Sequence, residues 1–146
     1  MQFETRIEIA AAREQVWATL IDVERWHDWT KSVTGIELLT GAPLSASSRV
    51  RIKQPRLKAL EWDVTEFAPN EVFNWTSSTF GVTSVGSHRI TAGPADRVTV
   101  TLALHQTGFL APLVGFLTGR LTRRYIDMEA NGLKARSEAR ASTPGG

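Results

Sequence analysis

His88 is the residue whose type and place in the sequence best suit chemistry. It lies in the extended run Val82–Ala92 and shares parity with Ile90, so its imidazole projects to the side that carries apolar neighbours. A histidine so placed can act as a general base toward an acidic carbon or a hydroxyl, or it can sit in the core as a hydrogen-bonded structural residue. The other two histidines do not join it. His105 has the opposite parity from Leu102 and Leu104 and is predicted to face solvent, while His27 belongs to a separate run, Trp26-His27-Asp28-Trp29. Histidines this dispersed offer no metal site. Glu61 and Asp63 share one strand face, two residues apart, in the manner of a carboxylate pair for acid and base work. Trp62 alternates to the other side, which makes theirs the solvated one. Arg49, Arg51 and Lys53 alternate with Val50 and Ile52 and read as an outer charged ladder opposite those carboxylates.

The aromatic inventory points to binding as much as to chemistry. Five tryptophans stand against one tyrosine. Trp17 falls on the apolar face of a short helix and reads as core. Trp62 shares a strand face with Val64, and Phe73 shares one with Trp75; both faces are predicted to point inward. Large flat rings lining a cavity favour flat or hydrophobic ligands through area burial and stacking. Inward polar groups are few: Asn74, Gln106 and Tyr125 besides His88.

Several classes of function are excluded by inventory. With no cysteine there is no thiolate nucleophile, disulfide framework or iron–sulfur cluster. Gly115 to Gly119 lies within a helical pattern with no preceding strand, so it is no phosphate loop, and no dinucleotide fingerprint or nucleophile elbow occurs; no cofactor is called for. A net charge of +2 does not imply nucleic acid. Arg120, Arg123, Arg124, Lys134, Arg136 and Arg140 make the last helix basic, but Asp127, Glu129 and Glu138 interrupt it and its apolar face is expected on the sheet, so the charges read as a solvated face. Phe109 to Leu117 is too short to span a membrane, which leaves no stable membrane insertion, and the N-terminal residues lack the pattern of a signal peptide, so cytoplasmic residence is the expectation.

The elements that must position these residues follow from periodicity. At 146 residues and 42% hydrophobic content, the chain suits one domain over 1–140 with a tail at 141–146. Phe3–Ile9 reads as a strand, and Ala11–Ile21 as an amphipathic helix. Asp22 is placed to cap a further helical turn through Val23, Trp26 and Trp29. Period two then governs Val33–Thr40, Ser48–Gln54, Ala59–Phe67, Glu71–Ser77, Val82–Ala92 and Arg97–Gln106, with breaks at Pro43, Pro55, Pro69-Asn70, Gly81 and Gly93-Pro94. Short connections predict an antiparallel meander. Leu110, Leu113, Leu117, Leu121, Tyr125 and Met128 recur at helical spacing in a last helix reaching about Ala139, and this stripe is expected to face the sheet. A sheet of seven strands bent around one helix encloses more space than the helix fills, so a cavity is predicted.

The residues also carry a resemblance. Ile7-Glu8-Ile9, Ala12 to Trp17 and Trp26 to Trp29 resemble the opening of the START-like (SRPBCC) superfamily, whose members share an α+β helix-grip fold. Gly41-Ala42-Pro43-Leu44, Ser48 to Ile52, Glu61 to Pro69, Phe73-Asn74-Trp75, Ser87 to Ile90 and Gly119 to Tyr125 look like its polyketide cyclase/dehydrase and lipid-transport branch. The resemblance spans residues 2 to 138. It implies a curved antiparallel sheet wrapped around a long C-terminal helix, with Trp26 and Trp29 on the rim of the cavity. The ligand-binding set is then Trp26, Trp29, Trp62, Phe73, Trp75, His88, Leu113, Leu117, Leu121 and Tyr125. The first reading is a non-catalytic module that binds a hydrophobic or aromatic small molecule, lipid- or polyketide-like. The alternative is a polyketide cyclase/dehydrase-type enzyme with His88 as general base, assisted by Tyr125.

Overall fold

In the computed structural model, which describes residues 2–142, seven strands form one antiparallel sheet. The strands are β1 (Gln2–Ile9), β2 (Gly35–Leu38), β3 (Arg49–Lys53), β4 (Leu60–Ala68), β5 (Val72–Thr79), β6 (Val82–Ala92) and β7 (Val98–Thr107). Helix α1 (Arg13–Ile21) and a 3-10 turn (Val23–Asp28) follow β1, and a long helix α2 (Ala111–Ala141) closes the chain. The sheet order is β1-β7-β6-β5-β4-β3-β2, a meander whose last strand pairs with the first. This is the α+β helix-grip arrangement. Residues 143–146, most of the expected tail, lie outside the described residues; Ala141 belongs to α2.

The alternation read from the sequence sets the faces. Val50, Ile52, Trp62, Val64, Phe73, Trp75, Val98, Val100 and Leu102 are buried on the concave side, while Arg49, Arg51 and Lys53 are exposed. Arg49 pairs with Asp63 and Arg51 with Glu61 across β3 and β4, and Arg49 Nε donates to Asp63 Oδ1 at 2.8 Å. Both partners are exposed, so the ladder contributes little to stability. A bulge between Val64 and Glu66 re-phases β4. Thr65 and Glu66 are both exposed as a result, and Phe67 turns inward against Trp17, with ring centroids 5.5 Å apart.

Two local expectations are corrected. Asp22 makes no side-chain cap; its carboxylate lies 3.5 Å from Arg25, and the turn that follows is 3-10. β2 is shorter than Val33–Thr40 because the chain turns at Gly41, whose N–H donates back to the Leu38 carbonyl at 3.1 Å and whose φ is +85°. Its Leu38 N–H donates to Glu24 Oε2 of the 3-10 turn at 3.1 Å.

The largest correction concerns α2. Leu113 is 53% and Leu117 68% exposed, and Leu121 is half-buried; the buried residues are Ala111, Gly115, Tyr125, Ile126, Ala130, Leu133 and Ser137. At about 100° per residue, Leu113 and Leu117 fall roughly half a turn round the helix from Gly115, Gly119 and Ile126. The inward side mixes Ile126 and Leu133 with small residues, and the closest approach is at Gly132, where a Cβ would lie 2.1 Å from the Trp29 carbonyl oxygen.

Polar side chains of α2 fasten it to β1. Arg123 donates to the Glu4 carbonyl at 2.7 Å, Lys134 to the Glu8 carbonyl at 2.9 Å, and Glu138 Oε2 accepts from the Ala10 N–H at 2.8 Å. The Ala10 bond and the Lys134 ammonium hold the Glu138 carboxyl below its ordinary range. A carboxylate depressed in the folded state stabilises at pH above its unfolded value and loses that contribution as pH falls through its folded value. The expected result is a thermal midpoint that drops as pH is lowered below about 4.5, followed by circular dichroism. Glu138→Gln should flatten part of that drop, and an unchanged slope would remove Glu138 from the account.

Candidate functional site

Between the concave sheet and α2 lies a cavity of about 240 Å³. Its floor is Trp62 of β4, Trp75 of β5, Gly86 and His88 of β6, and Leu102 and Leu104 of β7. α2 contributes Val114, Thr118, Thr122, Tyr125, Ile126 and Glu129, one face over four turns. Trp26 of the 3-10 turn closes one end, and Gln54, Leu57 and Lys58 of the β3–β4 loop lie at another side. The walls are mostly apolar, with a few convergent polar groups.

Gly86 shapes the floor. A Cβ there would lie 2.8 Å from Trp75 Nε1, so only glycine lets the indole lie across the neighbouring strand. Trp75 in turn sits 6.2 Å from Trp62 and 5.6 Å from Trp26, ring centre to ring centre. Trp26 is fixed by its Nε1–H, which donates to the Leu20 carbonyl at 2.9 Å.

His88 is buried and presents one ring nitrogen to the protein and the other to the cavity side. Nδ1 lies 3.1 Å from the Phe73 carbonyl, which can only accept, so Nδ1 carries the hydrogen. Nε2 lies 3.5 Å from Glu129 Oε1, whose side chain is 14% exposed. With Nδ1–H committed, Nε2 and a carboxylate oxygen are two acceptors unless a proton sits between them. Together they set a ring nitrogen and a carboxylate oxygen side by side at the cavity wall. Phe73 stacks on the imidazole at 4.2 Å, and Trp75 and Trp26 meet it edge-on at 5.0 and 5.6 Å. These rings fix the imidazole plane.

Of the residues predicted to form the site, Trp26, Trp62, Trp75, His88 and Tyr125 are brought together around the cavity. The other five are not. Trp29 packs on α2, where a Cβ on Gly132 would meet its carbonyl oxygen at 2.1 Å; it is a docking contact rather than a rim. Phe73 lies behind His88, fully buried between that ring and Trp17. Leu113 and Leu117 point to solvent, and Leu121 sits half-buried beside the cavity-facing stripe. Asn74, expected inward, falls on the opposite face of β5 from Phe73 and Trp75. The Tyr125 hydroxyl donates to the Pro55 carbonyl, which ties α2 to the β3–β4 loop. Glu129 is the site residue that sequence reasoning misses, because it reads as one of the acids of a solvated face. Its spacing is the available signal, since it lies one turn beyond Tyr125 and between Ile126, Ala130 and Leu133.

The profile of the family described as polyketide cyclase/dehydrase and lipid transport matches residues 1–138. The chain belongs to this family. Among solved structures, this polyketide cyclase/dehydrase and lipid-transport family chain is similar to the Zhui aromatase/cyclase from Streptomyces sp. R1128, at 18% identity and TM-score 0.79 over 100% of this chain and 98% of that one. It is similar to a protein from Thermus thermophilus, at 19% identity and TM-score 0.76 over 97% and 100% of the two chains. A START superfamily protein from Mycobacterium smegmatis aligns at 19% identity and TM-score 0.71 over 94% and 97%. At these identities the likeness is one of fold. Among curated proteins none matches the chain. Among the described residues of this family member, no cluster of three or more histidines and carboxylates is placed to hold a metal ion, and no helix is long and apolar enough to cross a membrane.

Proposed function

We propose that the protein binds a hydrophobic or aromatic small molecule, lipid- or polyketide-like, between its sheet and α2. The observation that carries this reading is the cavity itself: about 240 Å³, walled by Trp26, Trp62, Trp75, Leu102 and Leu104, with polar groups gathered at His88 and Glu129. That volume lies just below the roughly 300–1,000 Å³ of drug-sized sites, which favours a compact ligand or one that leaves part of itself outside. Flat rings would stack on the indoles, and a hydroxyl or carbonyl would find the His88–Glu129 pair.

The test is native mass spectrometry of the protein from its own source, with any retained molecule extracted, joined to titration with an environment-sensitive naphthalene probe. Three tryptophans on the cavity wall make intrinsic fluorescence a direct readout. Thr122→Trp, which places an indole into the space, should weaken probe binding by about tenfold or more. His88→Gln should change affinity by about 0.5–1.5 kcal/mol, the net worth of one hydrogen bond. Probe binding indifferent to Thr122→Trp would place the probe elsewhere and count against the reading.

A second reading, catalysis, is favoured by one specific contact, His88 Nε2 to Glu129 Oε1. With its Nε2 free, His88 can take a proton from an acidic carbon, the Glu129 carboxylate facing the imidazolium that forms, and return that proton to oxygen, as alcohol on ring closure and as water on dehydration. Under that reading His88→Gln and Glu129→Gln each lower turnover of a poly-β-keto substrate by about 10²–10⁴-fold while probe affinity is retained. The two readings thus part on whether affinity or turnover moves.

A further inference from the structure

Five large apolar side chains stand in solvent at one end of the molecule. Phe80 at the tip of the β5–β6 hairpin and Phe116 of α2 are each 85% exposed, Phe109 is 73%, Leu117 68% and Leu113 53%. They form one patch. Phe80 and Phe109 meet edge to face at 5.5 Å, and the Leu110 N–H donates to the Gly81 carbonyl at 2.9 Å, which pins the start of α2 to the hairpin. Leu113, Phe116 and Leu117 then continue along the outer face of α2. Soluble monomers rarely leave a contiguous apolar patch of this kind without a use for it.

The charge around it is mostly basic. Residues 53–60, 76–88 and 104–126, which include the β3–β4 loop, the β5–β6 hairpin tip and the start of α2 at this end, contain Lys53, Arg56, Lys58, Arg120, Arg123 and Arg124 and no aspartate or glutamate; the start of β1, paired with the end of β7, adds Glu4, whose carboxylate lies 3.6 Å from Arg6. Arg120 and Arg124 are exposed on the same side of α2 as Leu113 and Leu117, one and two turns further on. Arg123 turns the other way, to the Glu4 carbonyl. The basic helix reads as merely solvated only while its apolar stripe is used by the sheet, and in the structure it is not.

We propose that this end docks on the surface of an anionic lipid bilayer, with Phe80, Phe109, Leu113, Phe116 and Leu117 entering the interface and Arg56, Lys58, Arg120 and Arg124 meeting the headgroups. Apolar side chains backed by cations are what an interfacial surface needs. The patch protrudes, on a hairpin tip and a helix face, and fluid hydrocarbon receives protruding rings without requiring the matching pocket that a protein partner must supply. Val114 and Thr118 border the cavity from the same two turns of α2, so docking would set the cavity's edge against the bilayer.

The test is sedimentation with phosphatidylcholine vesicles, with and without about 30 mol % phosphatidylglycerol, using the full chain. Wild-type protein is expected to pellet with the anionic vesicles and to leave them as salt is raised. Phe80→Ser with Phe116→Ser should weaken partitioning by about tenfold or more, and Arg120→Gln with Arg124→Gln by several-fold with a shallower salt dependence. Both pairs are exposed, so unchanged circular dichroism and unchanged naphthalene-probe binding show that the fold and cavity are intact. No pelleting with anionic vesicles, or pelleting that ignores the phenylalanine pair, overturns the proposal. So does a patch found covered by an acidic carrier protein or by a second copy of the chain while vesicles are ignored. Vesicle binding without probe binding would instead count against the cavity reading alone.

Discussion

Trp26→Ala is expected to lower the unfolding free energy by about 3–5 kcal/mol, the range for deleting a large aromatic from a packed core. Trp26 is 1% exposed and is the node where the 3-10 turn, β5 and β6 meet: its ring lies 5.3 Å from Trp29, 5.6 Å from Trp75 and 5.6 Å from His88. Truncation removes those contacts and also leaves the buried Leu20 carbonyl without the Nε1–H that it accepts. One wall of the cavity disappears with it, so collapse of the neighbouring rings would recover little. Urea unfolding followed by circular dichroism should show a lower midpoint at unchanged slope. A loss under about 1 kcal/mol would mean that the 3-10 turn is held by other contacts and that Trp26 is a movable lid rather than a wall.

The second large effect discriminates between the two stripes of α2. Leu133 is fully buried against the sheet, and Leu133→Ala is expected to cost about 2–5 kcal/mol. Leu117→Ala, at an exposed position, should stay within about 0.5 kcal/mol. Measured side by side under the same conditions, the pair reads out the rotation of the helix. Equal costs, or a larger one for Leu117, would return the leucine stripe to the sheet and require a different seating of α2.

The difference between those stripes also shows what the sequence conveys. Period two is a strong signal where one sheet face is buried, so β6 is legible to the residue as Val82–Ala92, and the inward set from Val50 to Leu102 follows from parity alone. A helix offers no such parity. Leu110, Leu113, Leu117 and Leu121 form a more regular stripe than the true packing face, in which Ile126 and Leu133 alternate with Gly115, Ala130 and Ser137 and so leave a weaker periodic signal. The site divides the same way. Trp62, Trp75 and His88 are legible because they sit on strands; Trp29 is misplaced because its partner, Gly132, lies more than a hundred residues away and its absent side chain leaves no mark in composition. Glu129 is hidden among charges that do face water.

The bonds from α2 and the 3-10 turn to the outer strands have a consequence for how copies of this protein meet. An open sheet ends in two strands with unsatisfied backbone groups, each a template onto which another chain can add. Here the Glu4 and Glu8 carbonyls of β1 already accept from Arg123 and Lys134, and the Leu38 N–H of β2 already donates to Glu24. Part of each margin is occupied by side chains of the same molecule. A curved sheet left open to grip a helix is thereby guarded against edge-to-edge polymerisation, and a strand adding to β1 would first have to displace contacts that also hold the helix in place.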